Sequence, residues 1–291
     1  MFFFLSLLIS LHAEADINFQ WLGITGFSLS DGKTTLLFDP VITRPSLFDI
    51  LFRRSIKSDP TLVDAWIKQA KLTKVDATFV THSHHDHSLD MPEFAKKLGG
   101  HVYGSPSTIT IARNFGVNEE ELKPIKEDQV IQVGDFKITV VQNEHVSILG
   151  PLYFAKGEVE KKEMNKDSSV FDYKMGDSFG YFIEHPEGKI VFQATSKVPP
   201  KYQQNGFPAS VVLLSVAKID GIEHLLSKVI SMYKPHTIVP LHFDNFFKPI
   251  IDNKVEYLFG VNMDQFKKVV VQLSPNMKVI EPKYTTPIRL Y

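Results

Sequence analysis

The chain has 291 residues, of which 43% are hydrophobic and 22% are charged, and its formal net charge is -1. This balance is typical of a folded globular protein and provides no basic field, so a nucleic-acid partner is not expected. The sequence contains no cysteine, which excludes disulfides, thiolate metal ligands and cysteine nucleophiles.

The N terminus carries an apolar run from Phe2 to Leu11, followed by Ala13-Glu14-Ala15. An apolar run before an A-x-A step predicts a signal peptide over residues 1–15, and hence a periplasmic or secreted protein. No Lys or Arg precedes the run, so an N-terminal core strand and a cytoplasmic location remain the alternative. The run is too short to span a bilayer comfortably.

The first elements of the mature chain are predicted to be β-strands. Alternating apolar residues predict strands over 17–22, 26–30 and 34–38, and Asp31-Gly32 predicts the hairpin turn between the last two. A connection over 41–60 follows, and a helix is predicted over 61–70 with Asp59 or Thr61 as its N-cap.

The connection contains an apolar patch from Leu47 to Phe52, followed directly by Arg53 and Arg54. Three interpretations remain open at this point. The patch could be a short core helix, a cap over a functional site, or a contact with a membrane surface or lipid.

The most informative stretch begins with a short buried strand over 77–80. Five potential ligands follow within a few residues of its end, namely His82, His84, His85, Asp86 and His87. Imidazole nitrogens and carboxylate oxygens are the ligands that zinc and similar divalent metals take in hydrolytic sites. Scattered histidines seldom follow a core strand this closely, so the stretch predicts a metal site.

Two more histidines occupy similar positions at the ends of predicted strands. His145 follows a strand over 136–141, and His242 follows a strand over 237–241. Each is therefore a candidate metal ligand. By contrast, His185 falls in the turn of a hairpin between 179–184 and 189–192, so we expect it to be exposed and functionally silent.

The spacing His82-x-His84-x-Asp86-His87 resembles the signature of the metallo-β-lactamase superfamily. This resemblance implies an α/β fold, a four-layer αββα sandwich with metals at one edge between two sheets, formed as a single domain over residues 16–291. It also implies a first ligand set of His82, His84 and His145, with His242 as the final ligand. The flavo-diiron branch typically carries Glu where His84 stands here, so the resemblance favours hydrolysis.

Residues 21–41 are similar to the opening of one branch, which includes the ascorbate-lactonate hydrolases and the N-acyl-phosphatidylethanolamine phospholipases D. Relatives of that branch often have His where Ile24 stands here. They also place a carboxylate beneath the metal-site histidines at the position of Asp39, which implies that Asp39 orients a ligand.

The family pattern breaks at the carboxylate that bridges two metals in most superfamily hydrolases. The strand over 189–193 is followed here by Ala194, Thr195 and Ser196. Several outcomes remain open. A single zinc could sit on His82, His84 and His145, or Asp86, His87 and His242 could hold a second ion bridged only by hydroxide. Asp244 could also supply a substitute carboxylate, or the site could bind without turnover. Persulfide-dioxygenase relatives need the missing Asp, so that activity is not expected.

The predicted function is metal-dependent hydrolysis. A metal-bound hydroxide would attack an ester, lactone, amide or phosphodiester, with Asp86 as ligand or proton acceptor. We expect one or two zinc ions, with manganese or iron as alternatives, and a small-molecule or lipid-like substrate. The alternative is a non-catalytic protein of the same fold that binds a metal or ligand.

Overall fold

A computed structural model describes residues 16–145, 155–160, 164–195, 206–217 and 221–291. The predicted signal peptide over residues 1–15 lies outside the described residues, as does Ser196, one of the positions considered for the missing carboxylate.

One β-sheet is built from the N-terminal part of the chain and a C-terminal strand. Its strands are β1 (Asn18–Gly23), β2 (Gly26–Ser30), β3 (Thr35–Phe38), β4 (Ala77–Phe79), β5 (His101–Gly104), β6 (Leu122–Pro124) and β14 (Pro287–Arg289). Their order is β14-β1-β2-β3-β4-β5-β6. Pairing is antiparallel from β14 to β3 and parallel from β3 to β6.

The second sheet has the same division into an antiparallel and a parallel part. Its strands are β7 (Val130–Val133), β8 (Phe136–Gln142), β9 (Phe179–His185), β10 (Gly188–Gln193), β11 (Val211–Ser215), β12 (Thr237–Leu241) and β13 (Lys278–Val279). Their order is β13-β12-β11-β10-β9-β8-β7. Pairing is antiparallel from β7 to β10 and parallel from β10 to β13.

Helices flank the two sheets. They are α1 (Leu47–Leu51), α2 (Pro60–Gln69), α3 (His85–Ser88), α4 (Met91–Leu98), α5 (Pro106–Asn114), a 3-10 turn (Glu119–Glu121), α6 (Ile222–Tyr233) and α7 (Met263–Leu273). Helices α2, α4 and α5 pack with the first sheet, and α6 and α7 pack together beside the second. The predicted four-layer αββα sandwich is therefore confirmed.

Aromatic side chains fill the space between the sheets. In the first sheet, the Phe38 ring stacks on Phe27 at 4.7 Å and on Phe79 at 5.2 Å between ring centroids. From the second sheet, Phe192 meets Phe27 edge-on at 4.8 Å, and Tyr181 meets Phe79 edge-on at 5.4 Å. These contacts pack the two sheets face to face.

One hydrogen bond in this core holds the segment that leads into the histidine-rich loop. The buried Tyr181 hydroxyl donates to the Val80 carbonyl oxygen at 2.8 Å. Val80 stands immediately after β4, so the second sheet holds the end of this strand where the candidate ligands begin.

Most predicted elements appear within one or two residues of their expected bounds, and β2 and β12 match them. Helix α2 begins one residue before its predicted start. Asp59 is its N-cap and accepts from the Thr61 and Leu62 backbone N–H groups at 2.9 and 3.2 Å. The proline at the first helical position lacks the N–H that would otherwise need a partner.

The interpretation of residues 47–52 as a core helix is wrong. A helix does form there, but none of its residues is buried, and Leu51 is 76% exposed. Local apolar composition predicted the helix, whereas its burial depends on neighbours that are distant in the sequence. Across the described residues, no helix combines the length and the apolar character needed to cross a bilayer.

The expectation that His185 is exposed is also wrong. His185 is the last residue of β9, and its ring is buried against Phe136, with ring centroids 4.7 Å apart. Its Nδ1 accepts from the Glu187 backbone N–H, so the neutral ring carries its proton on Nε2, which lies 3.4 Å from Asp31. Because a protonated Nε2 has no lone pair to offer, this ring is a contact between the sheets and a poor metal ligand.

Candidate metal centre

The candidate ligands come together at one edge of the sandwich because each follows the carboxyl end of a strand. Residues 82–87 follow β4, His145 follows β8 and His242 directly follows β12. Side chains beyond the carboxyl ends of neighbouring strands converge in open α/β sheets. The structure thus gathers His82, His84, His145, Asp86, His87 and His242, the predicted ligands, into two neighbouring groups.

The first ligand group consists of His82, His84 and His145, whose ligand atoms all lie within 4.8 Å of one another. Nε2 of His82 lies 3.1 Å from Nδ1 of His84. Two nitrogens of a tetrahedral zinc site are separated by about 3.3 Å. Two ring nitrogens that face each other at this distance need a proton or a cation between them, so the group fits a divalent metal.

The second ligand group consists of Asp86, His87 and His242, and its ligand atoms also lie within 4.8 Å of one another. Oδ2 of Asp86 is 3.4 Å from Nε2 of His242 and 3.7 Å from Nε2 of His87. All three residues are buried. A carboxylate with two imidazoles is a ligand set used by catalytic zinc sites, so this group also fits a divalent metal.

The two ligand groups are adjacent. The rings of His82 and His87, which belong to different groups, have centroids only 3.9 Å apart. Within the second group the His87 and His242 rings are 5.5 Å apart. This closeness allows both groups to act on one substrate.

The His87 ring is oriented by a buried carboxylate. Its Nδ1 lies 2.8 Å from Oδ2 of Asp39, and because a carboxylate only accepts, Nδ1–H is the donor. The Nε2 lone pair is therefore directed to the second ligand group. Asp39 has no exposed surface and also accepts from the Thr81 backbone N–H and hydroxyl and from the Thr25 hydroxyl. The predicted contact of Asp39 with a site histidine is confirmed.

His82 is connected to the same carboxylate less directly. Its Nδ1 lies 3.2 Å from the Thr81 hydroxyl, which donates to Asp39 at 2.7 Å. The hydroxyl therefore accepts from His82 and leaves Nε2 of this ring for the first ligand group.

His242 is held through its backbone rather than its ring. It adopts a left-handed conformation with φ of 60°, and its N–H donates to the Ile24 carbonyl oxygen at 2.7 Å. Ile24, in the turn between β1 and β2, is itself left-handed with φ of 55°. This conformation is strained for a β-branched residue and persists only where its surroundings hold it.

The carboxylate of Asp244 stabilises the strained backbone of Ile24. This carboxylate accepts from the Ile24 backbone N–H at 3.0 and 3.2 Å and from the Tyr284 hydroxyl at 2.9 Å, and it pairs with the Arg44 guanidinium. Asp244 has no exposed surface. Its oxygens are engaged away from the ligand groups, which contradicts the alternative in which Asp244 replaces the bridging carboxylate.

Thr195 belongs to the described part of the loop after β10, where the sequence lacks the usual carboxylate. Thr195 is buried, 3% exposed, two residues beyond the end of this strand. Neither ligand group contains a carboxylate from this loop. Of the described residues in the two groups, Asp86 alone is acidic.

Burial and neighbouring charges keep His82, His84 and Asp86 in the protonation states that metal ligation requires. Burial, with the other histidines, lowers the pKa of His84 to about 3 and that of His82 well below its usual value. Burial opposes the charge of Asp86, but His87 and the other nearby histidines outweigh it and hold its pKa well below normal. Neutral imidazoles and an ionised carboxylate are the forms that bind metals.

His87 is affected in the opposite direction. Burial disfavours its charged form, but the carboxylates of Asp86 and Asp39 prevail and raise its pKa. A cation in the second ligand group would therefore replace a proton that these two carboxylates favour.

The sequence did not reveal several residues that support the site. Thr25, Thr81, Arg44 and Tyr284 have no local pattern that marks them, and they act through contacts with distant segments. The remaining histidine of the cluster, His85, is largely buried, with Nδ1 3.9 Å from Asp86 and no hydrogen-bond partner for its buried Nε2. It belongs to neither ligand group.

The fold and the two ligand groups define a metal-dependent hydrolase of the metallo-β-lactamase fold. Residues 34–220 match the family model described as beta-lactamase superfamily domain. The chain therefore belongs to the metallo-β-lactamase superfamily.

Individual relatives agree with this assignment. A UPF0173 metal-dependent hydrolase from Polynucleobacter asymbioticus is 26% identical over 246 residues, which cover 80% of this chain and 76% of the relative. The isothiocyanate hydrolase from Delia radicum gut bacteria has a similar fold, with a TM-score of 0.59 and 17% identity over 94% of this chain and 99% of its own. The diiron β-hydroxylase CmlA from Streptomyces venezuelae has a TM-score of 0.58 and 14% identity over 95% of this chain and 54% of its own.

Proposed function

We propose that the protein is a two-metal hydrolase that cleaves an ester, a lactone or a phosphodiester. The observation that carries the proposal is the second ligand group. Asp86, His87 and His242 converge next to the first group although the usual bridging carboxylate is missing. His87 is already held in the required tautomer by Asp39.

The ions would be held by His82, His84 and His145 on one side and by Asp86, His87 and His242 on the other. When bound, divalent metals supply an acidified water and polarise the substrate oxygen on which negative charge develops. We expect zinc, with manganese or iron as alternatives. The diiron neighbour shows that this fold also accommodates iron in another protein.

The chain's own residues contribute orientation and charge. Asp39 accepts the Nδ1 proton of His87, and Thr81 accepts that of His82, so both rings present Nε2 to the site. The depressed pKa of Asp86 favours its role as a charged ligand over that of a proton acceptor, because a strongly acidic carboxyl holds a proton poorly at neutral pH.

The test is turnover by the metal-loaded full chain on a nitrophenyl ester, a lactone and a bis-nitrophenyl phosphodiester. Zinc and manganese are compared, and His84→Ala is the site variant. Exposed His101, on β5, provides the matched control His101→Ala. The proposal requires that one substrate class is turned over, that His84→Ala abolishes turnover and that His101→Ala leaves it unchanged.

A non-catalytic metal- or ligand-binding protein is the second candidate. The observation that favours it is the sequence Ala194-Thr195-Ser196, where relatives carry the bridging carboxylate. Tight metal binding without turnover of any of the three substrate classes would support this candidate and contradict the first.

Several expectations from the sequence remain proposals. The narrower resemblance to the ascorbate-lactonate hydrolases and N-acyl-phosphatidylethanolamine phospholipases D is one of them. A small-molecule or lipid-like substrate, the absence of a nucleic-acid partner, and export to the periplasm or medium after cleavage before Asp16 are the others. N-terminal sequencing of protein from fractionated cells tests the last, and an intact Met1 in the cytoplasmic fraction would contradict it.

A further inference from the structure

Helix α1 carries a cluster of large apolar side chains that are exposed to solvent. Three of its side chains and that of its C-cap residue face solvent, with exposed fractions of 62% for Leu47, 50% for Phe48, 76% for Leu51 and 58% for Phe52. Contiguous exposed apolar patches of this kind mark interaction surfaces in folded proteins.

This exposure is not the result of a loosely attached segment. A capping box between Ser46 and Asp49 closes the start of the helix. Ile50 packs against a buried apolar cluster of the protein body. After the helix, the Ile56 backbone N–H donates to the Ser168 carbonyl oxygen at 2.8 Å. The helix is therefore fixed at both ends, and Leu47, Phe48 and Leu51 are directed outward.

Basic side chains surround the apolar patch. Arg53 lies over the Phe171 ring and Arg54 over the Phe48 ring, each with its guanidinium carbon 4.5 Å from the ring centroid. Lys57 is also exposed. Asp49 is the acidic residue of the segment, and its carboxylate accepts from Ser46 and lies 4.0 Å from Arg54. The segment thus presents apolar side chains next to a basic rim of Arg53, Arg54 and Lys57, which gives it a net positive charge.

One apolar cluster connects helix α1 to a ring of the second ligand group. The apolar cluster that holds Ile50 also contains Ile24 and Phe246. The Phe246 ring meets the His242 ring edge-on at 5.0 Å. The residue that anchors α1 therefore packs against the same cluster as a neighbour of His242.

We propose that α1, together with Arg53 and Arg54, docks the protein on an anionic lipid surface. Apolar side chains that insert beside a basic rim are the pattern of interfacial helices that bind anionic membranes. The four side chains expose roughly 400 Å², if a large apolar side chain presents about 150–200 Å². A stable protein interface needs about 800 Å² from each partner, so a second copy is a poorer occupant than a lipid surface.

The docking inference is independent of metal chemistry, so its failure and that of the proposed function can be told apart. The full chain contains no cysteine, which permits one dye at a chosen position. Phe52→Cys is labelled with an environment-sensitive fluorophore, and the matched control is Val271→Cys on α7, where the native side chain is 51% exposed. Both proteins are titrated with vesicles of phosphatidylglycerol and phosphatidylcholine, and with vesicles of phosphatidylcholine alone.

We expect a blue shift of the label at position 52 on the anionic vesicles, at least several-fold weaker binding to the neutral vesicles, and no shift at position 271. The added substitutions Arg53→Gln and Arg54→Gln should weaken the binding to anionic vesicles several-fold. The apolar N-terminal run is identical in all variants, so it cannot produce a shift specific to position 52.

Three results would overturn the proposal. One is the absence of a shift at position 52 on anionic vesicles, even where the protein sediments with them. Another is an equal shift at position 271. The third is a shift at position 52 that depends on protein concentration without vesicles, which would identify a second copy as the occupant.

Discussion

The two ligand groups are neighbours but are supported differently. The first consists of the imidazoles of His82, His84 and His145, and burial lowers the pKa of His84 to about 3 and that of His82 well below its usual value. The second contains the acidic side chain of Asp86. The difference predicts a neutral site next to a site that carries one negative charge.

The residues behind the ligands also differ between the two groups. His87 of the second group donates directly to Asp39, whereas His82 of the first group reaches Asp39 only through the Thr81 hydroxyl. The backbone of His242 is held by Ile24, whose strained turn is held by Asp244. In a protein without the usual bridging carboxylate, buried carboxylates behind the ligands stabilise the second group instead.

The largest expected effect is on stability, from Asp244→Asn. The substitution leaves the Arg44 guanidinium, whose side chain is 3% exposed, without its charged partner. An uncompensated buried charge costs about 3–5 kcal/mol of the free energy of unfolding. Urea unfolding of the metal-free protein measures this cost.

The control for this variant is Asp64→Asn on α2. The Asp64 side chain is 62% exposed and pairs with Lys97 at the surface, so its loss should cost under about 1 kcal/mol. If the two substitutions cost the same, Asp244 does not hold the turn.

The next effect concerns catalysis by the second group. We expect Asp86→Asn to lower kcat/KM at least about 100-fold, because even partners behind metal ligands are worth 10–100-fold. The physical reason is the loss of the one negative charge in the ligand groups. The assay uses the substrate that the full chain turns over best, and unchanged kcat/KM would exclude Asp86 from the site.

A smaller effect, on metal affinity, distinguishes the two ligand groups directly. Asp39→Asn should weaken the binding of the ion in the second group about 10–100-fold, because the amide no longer accepts from His87 as a charged partner. Thr81→Val keeps the shape of the side chain but removes the hydroxyl next to His82, so it should weaken the ion in the first group more. Calorimetric titration of metal-free variants measures both sites, and equal effects on both ions would contradict the distinction.

The smallest effect is the pH dependence of stability in the metal-free protein. The pKa of His84 is depressed to about 3, so the unfolded chain binds more protons between that value and about 6.5. The stability contributed by neutral His84 is therefore present above about pH 6.5 and decreases as the pH falls. From pH 7 to pH 5, His84 alone should remove about 2 kcal/mol.

The contribution of His87 to stability has the opposite pH dependence, because the fold raises its pKa. This contribution decreases as the pH rises through the pKa that His87 has in the folded protein. The His84→Gln variant isolates the contribution of His84. Urea unfolding at several pH values should show a shallower slope for this variant between pH 5 and pH 7. An unchanged slope would mean that His84 is not held neutral by the fold.

The sequence predicted the site better where the ligands are close together in the chain. His82, His84, Asp86 and His87 fall within six residues, and the strand before them fixes where they emerge. His145 and His242 were identified because each follows a predicted strand and because relatives in the superfamily that the sequence resembles place ligands at these points. Apolar patterning predicted the strands, whereas the resemblance implied that their ends meet.

The support behind the ligands could not be predicted in the same way. Arg44, Asp244 and Tyr284 are separated by up to 240 residues in the chain, and nothing local marks their contact. The burial of individual side chains could not be predicted from the sequence either. His185 was expected to be exposed, yet it is buried against Phe136. A core helix was one of three interpretations of residues 47–52, yet Leu47, Phe48 and Leu51 of α1 face solvent.

The most direct test of the account is the number of metal ions per chain, measured by native mass spectrometry on the full chain purified without a His-tag. The account predicts two ions after supplementation with zinc or manganese. It also predicts that Asp86→Asn keeps only the ion of the first ligand group. A protein that holds a single ion, unaffected by Asp86→Asn, would contradict the claim that the second group binds a metal without a bridging carboxylate.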